Sequence, residues 1–120
     1  MIIKKDMREP SIGSSKKEGA PDFNKLEIMS AEKLLGAGRL FSIITLPVGA
    51  QVPEHEHHDE YEIYCLLSGE GDYNDNGNIV RVFAGDVMLC SDGELHGLVN
   101  NGETELSFIA FVGFANPERQ

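Results

Sequence analysis

Pro53-Glu54-His55-Glu56-His57-His58-Asp59-Glu60-Tyr61-Glu62 is an acidic, histidine-rich run that passes without a break into the apolar segment Ile63-Tyr64-Cys65-Leu66-Leu67. Successive side chains of an extended chain point to opposite faces, so His55 and His57 share one face, and Tyr64 and Leu66 point to the same side of their strand as Glu62. Two neutral imidazoles on one face are a natural start for a first-row metal site, and the Glu62 carboxylate adds charge and a third donor. His96 is distant in the chain but follows a strand and a Gly93 turn, so a rolled-up sheet could bring it across. The same run also suits a charged loop that simply sits in water.

Outward from this run the pattern is β. Leu40-Phe41-Ser42-Ile43-Ile44-Thr45-Leu46 is rich in β-branched and aromatic residues and is closed by Pro47-Val48-Gly49. Asp75-Asn76-Gly77-Asn78 predicts a tight hairpin joining Gly71-Asp72-Tyr73 to Ile79-Val80-Arg81-Val82-Phe83. Val87 to Cys90 is a further strand, and Asn101-Gly102 turns the chain into Glu105 to Val112. About seven or eight short strands with turns between them favour a sandwich or a barrel. Ser30 to Gly36 is either one helical turn, capped by Ser30, or an irregular segment. Residues 1–24 are an N-terminal arm, with Met1 to Lys5 as a short edge strand and loop punctuation after it; residues 25–115 form the barrel and 116–120 a C-terminal tail.

The chain has 120 residues, the size of one domain, with 41% apolar and 25% charged residues, as in an ordinary globular protein. Its formal charge of -10 is the wrong sign for phosphate neutralisation, so neither nucleic acid nor an anionic membrane surface is an expected partner. Cys65 and Cys90 lie inside apolar runs and read as two reduced core thiols. Met1-Ile2-Ile3-Lys4-Lys5 opens no apolar run of signal length, and a cytoplasmic protein is expected.

The order of residues resembles the cupin family. Gly49, five residues, His55-x-His57, four residues, Glu62, six residues and Gly69 reproduce the first motif of that family. Gly85, five residues, Ser91, one residue, Gly93, two residues, His96, three residues and Asn100 follow the second, with Ser91 in place of its usual proline. That departure should loosen the turn before His96. The resemblance implies an all-β fold, a double-stranded β-helix or jelly-roll cupin barrel with an N-terminal extension, and His55, His57, Glu62 and His96 as ligands of one divalent metal ion. Mn, Fe, Ni, Co, Cu and Zn all suit three imidazoles and a carboxylate.

Such a set leaves two positions on a six-coordinate ion for water or a small molecule, so two functions are expected. One is a metal-dependent lyase, isomerase or dioxygenase acting on a small oxygenated molecule; the other is a module that binds a small ligand or metal without turnover. Tyr64 is the candidate catalytic residue, as a hydrogen-bond donor or general base near the ion, or else packs the barrel with its hydroxyl satisfied. Glu54, Glu56, Asp59 and Glu60 are expected to solvate the rim, and His58 to lie on the surface. Arg39 and Arg81 would matter to an anionic substrate if they faced inward. Ile63, Cys65 and Leu67 face away from Tyr64 and need a cover, which the N-terminal segment or a second subunit could supply; a homodimer is expected.

Overall fold

A computed structural model describes residues 1–116 and arranges them as ten strands in two antiparallel sheets. The strands are β1 (Pro10–Gly13), β2 (Phe23–Glu27), β3 (Gly38–Leu46), β4 (Gln51–Glu56), β5 (Glu60–Ser68), β6 (Glu70–Asp75), β7 (Asn78–Phe83), β8 (Val87–Cys90), β9 (Leu95–Val99) and β10 (Leu106–Phe114). Six of them lie in the order β1-β2-β3-β10-β5-β8, and four in the order β4-β9-β6-β7. The non-sequential neighbours are those of a jelly roll, in which the chain crosses between sheets instead of meandering along one. The expected tail at 116–120 lies, beyond Asn116, outside the described residues.

The local signals act as their chemistry requires. Asn76 and Gly77 take φ of 52° and 95°, the left-handed pair that a two-residue hairpin needs, and Asp75 faces Asn78 across the closed ladder. Gly69 has a φ of 81°, and a Cβ built there would lie 2.4 Å from the Glu105 carbonyl oxygen, so both conformation and space demand glycine. Asn100 is fully buried and donates its amide to the Leu46 and Thr104 carbonyls at 2.8 and 2.9 Å while accepting from the Gly102 N–H. It thereby satisfies backbone that a buried turn would otherwise strand without partners.

The inner faces meet in one core. Tyr64 and Leu66 of β5, Leu98 of β9, and Leu106, Phe108 and Ala110 of β10 are all buried, as alternation from Glu62, His96 and Leu106 predicts. Each such large side chain contributes roughly 1.5–3 kcal/mol of hydrophobic stabilisation. Cys65 and Cys90 are both free thiols. Cys65 points outward beside Val87, while Cys90 points inward opposite Glu62.

The arm differs from its expectation. Met1 to Lys4 form no strand; a 3₁₀ turn covers Lys5–Met7, and the edge strand is Pro10–Gly13, within the segment taken for loop punctuation. A proline costs nothing at the first residue of an edge strand, where no ladder partner awaits its missing N–H. Gly13 lies against the Phe23 ring at the other end of the pair, closer than any side chain would allow. The Ser30–Gly36 segment contains a 3₁₀ turn, Glu32–Leu34, ended by Leu35 in the left-handed region. Among the described residues no helix is long and apolar enough to cross a membrane.

Candidate metal centre

The four expected ligands come from both sheets. His55 lies on β4 directly opposite His96 on β9, beyond a ladder irregularity between Val52 and His55. His57 follows the end of β4, but its backbone is still held: its N–H donates to the Glu94 carbonyl at 3.1 Å and its carbonyl accepts from the Gly93 N–H at 2.7 Å. Glu62 reaches in from β5 of the larger sheet.

Their donor atoms converge. The three Nε2 atoms stand 3.2 Å (His55–His57), 3.2 Å (His57–His96) and 3.0 Å (His55–His96) apart. Glu62 Oε1 lies 3.0 Å from His57, 2.9 Å from His96 and 3.5 Å from His55. An ion with bonds of about 2.0–2.1 Å sets neighbouring donors about 3.0 Å apart at right angles and about 3.4 Å apart at tetrahedral angles. The spacing therefore fits one first-row ion, and these four side chains form a group that could hold it.

The outer hydrogen bonds aim the imidazoles. His55 Nδ1 is 2.7 Å from the Pro53 carbonyl and His57 Nδ1 is 2.9 Å from Glu60 Oε1. A carbonyl and a carboxylate only accept, so both rings carry a proton on Nδ1, and in its neutral form each turns a bare Nε2 lone pair inward. The third ring, His96, meets the Tyr73 hydroxyl at 2.9 Å through Nδ1. With these rings neutral, lone pairs and a carboxylate oxygen facing one another about 3 Å apart call for positive charge between them, which protons or an ion supply.

Ionisation follows the same geometry. The Glu62 hydrogen bond raises the pKa of His55 and of His57 above the usual imidazole value, against their burial. Burial first, and then the charges of His55 and His57, lower His96 against the opposing pull of Glu62. Burial also pushes Glu62 up, but hydrogen bonds from His55, His57 and His96 together hold its carboxyl well below the ordinary range. Exposure falls from His55, whose side chain is 37% accessible, to His57 at 2% and His96 at 1%, so the centre is approached from the His55 side.

Tyr64 stacks its ring on His96 (4.9 Å between centroids, 28° between planes) and tilts against Phe108 at 4.5 Å. Its burial, and then the nearby Glu62 charge, push its hydroxyl well above the usual phenol value. Arg39 and Arg81 point away from the centre: Arg39 to Glu60, Arg81 to Asp72, Glu70 and Asn101. His58 is on the surface beside Glu56.

Two expectations need correction. Glu60 does not merely solvate the rim, because it accepts from His57 and from both arms of the Arg39 fork. Its pKa falls to about 2, through the Arg39 hydrogen bond first and the His57 bond after it. Nor is the turn at Ser91 left loose. The Ser91 N–H, which a proline would lack, donates to Glu94 Oε1 at 2.7 Å, while Glu94 Oε2 accepts from Asn76 at 2.7 Å. Asn76 Oδ1 in turn accepts from the Leu95 N–H, one residue before His96. The turn is thus tied to the β6–β7 hairpin by side chains in place of a rigid ring.

Sequence reasoning missed Tyr73, which no local pattern marks, because only the β6–β9 register sets it beside His96. A signal for Glu60 did exist: it lies two residues before Glu62 on one strand and so shares its face.

Known proteins share this fold. Residues 42–112 match the cupin domain family. An oxalate-binding protein of Thermotoga maritima is 36% identical over 112 residues, spanning 93% of each chain. The crystal structure of a predicted oxalate decarboxylase from Thermotoga maritima superposes with a TM-score of 0.87 at 35% identity, over 95% of this chain and 99% of that one. A cupin protein from Bacteroides fragilis superposes with a TM-score of 0.64 at 25% identity, over 83% and 81% of the two chains. With more than half of its length matched to one family and a relative alike over nearly all of it, this chain belongs to the cupins.

Proposed function

We propose that His55, His57, Glu62 and His96 hold one divalent metal ion, and that the chain captures a small carboxylate of the oxalate type on it without consuming it. When bound, the ion supplies a positive centre with free positions for two carboxylate oxygens. Among the four donors Glu62 is the one anion, and Arg39 offsets Glu60 beside His57, so a divalent centre keeps a net positive charge that suits an anion. The half-exposed His55 side admits the ligand, while Tyr64 and Phe108 fill the barrel beneath and limit its size.

The observation that carries a binding role is the commitment of the neighbouring proton-bearing groups. The Tyr73 hydroxyl and Glu60 sit on the Nδ1 atoms of His96 and His57, the ring nitrogens turned away from the ion, and Tyr64 lies face-on to a ligand ring with its pKa raised. The Thermotoga maritima sequence and crystal structure, described as an oxalate-binding protein and a predicted oxalate decarboxylase, support the same ligand. The test is to purify the chain without a metal-affinity tag, measure its metal by elemental analysis, and titrate the manganese-loaded form with oxalate by calorimetry. Saturable binding that disappears with a chelator is expected. Equal binding by the metal-free protein would overturn the reading, and formate released from oxalate would make the chain an enzyme.

The same reading seats a second copy on the outer face of the larger sheet. Ile12, Leu67, Val87 and Leu89 are exposed there, and ladder pairing puts them on one face with Ile43 and Ile109. Sedimentation should return about twice the 13.2 kDa chain mass. A monomer at micromolar concentration would remove this part of the proposal alone.

A further inference from the structure

We propose that Glu60, clamped by Arg39, is a positioning residue that fixes the tautomer of His57 and thereby strengthens its hold on an ion. This rests on the metal reading above. The three imidazoles have three different outer partners: a carbonyl on His55, a phenol hydroxyl on His96 and a carboxylate on His57. Glu60 is the anionic member of the three, and an anion on the far ring nitrogen makes the near one a better donor.

The arrangement is rigid for a group so near the surface. Arg39 grips both oxygens of Glu60, through Nε at 2.7 Å and Nη2 at 2.8 Å, the two-pronged match that Lys could not make. Glu60 and the ligand Glu62 stand two residues apart on β5, so one strand carries both the inner donor and the outer support. Arg39 arrives from β3 across the end of β10, beside the register slip between Val112 and Gly113. An exposed arginine–carboxylate pair by itself contributes only about 0–1 kcal/mol to stability. What sets this pair apart is its third contact, to a ring that is 2% exposed. That contact forces the proton onto Nδ1 and leaves Nε2 bare toward the other three donors.

Glu60→Leu, Glu60→Gln and Arg39→Met decide the matter, compared with the unaltered chain. Two readouts are used: zinc affinity by competition with a chromophoric chelator, and the His57 tautomer by nitrogen-15 NMR of the metal-free protein at alkaline pH. Glu60→Leu should weaken zinc binding roughly 10–100-fold and shift His57 toward the Nε2–H form. Glu60→Gln, which keeps an accepting oxygen but not the charge, should restore the tautomer and only part of the affinity, and Arg39→Met should fall between the extremes. If Glu60→Leu does not fold, Arg39→Met takes over its role in the test. Unchanged affinity together with an unchanged tautomer in these variants would overturn the inference. An unaltered chain that takes up no zinc would instead defeat the metal reading, with the tautomer still reporting on Glu60.

Discussion

Saturation with a divalent ion should raise the thermal midpoint of this protein by about 10 °C, and His57→Ala should abolish that rise. A ligand that binds only the folded state at a hundred times its dissociation constant stabilises by about 2.7 kcal/mol. For a domain of this size each kcal/mol moves the midpoint by about 4 °C. His57 is a position that tests the site because its Nε2 lies 3.2, 3.2 and 3.0 Å from the other three donors. Removing it also leaves Glu62, a buried carboxylate, with one fewer partner. The metal-free variant should therefore melt below the metal-free parent as well. Melting curves by circular dichroism, with added ion and with chelator, measure both effects. An equal rise in His57→Ala would put the ion elsewhere on the acidic surface.

Several features of this fold could be read from the residues, because their causes are local. The Asn76-Gly77 turn needs two positive φ angles, and few other residue pairs supply them. Glu62, Tyr64 and Leu66 alternate inward because strand parity is set by covalent geometry. The four candidate ligands are legible for a different reason: many positions in fixed order from Gly49 to Asn100 match a known family, and the donor atoms do meet. What stayed hidden depends on contacts across the chain. Pro10–Gly13 holds few apolar residues and becomes a strand only because β2 pairs with it. The turn at Ser91 is held by Glu94 and Asn76, and Asn76 looked like hairpin chemistry alone. Tyr73 reaches His96 through a register that no stretch of sequence displays.

The second large effect is a dependence of metal stabilisation on pH, and it runs opposite to the preference of the metal-free site. His55 and His57 have folded pKa values raised above the unfolded value of about 6.5. Their contribution is fully present below that value and is lost as pH rises through the raised folded ones. Glu62 is held below its unfolded value of about 4.3, so its contribution is present above that and lost as pH falls through the depressed one. His96, lowered by burial, opposes the other two imidazoles by disfavouring acid. The metal-free centre is thus most favourable between about pH 4.5 and 6.5. An ion needs the nitrogens bare, and each bound proton costs about tenfold in apparent affinity per pH unit, or about a hundredfold for His55 and His57 together. The gap between the loaded and metal-free melting midpoints should therefore widen from about pH 5 toward alkaline pH and close on acidification. A gap that held constant down to about pH 5 would mean that carboxylates alone grip the ion, since Asp and Glu do not titrate until about pH 4.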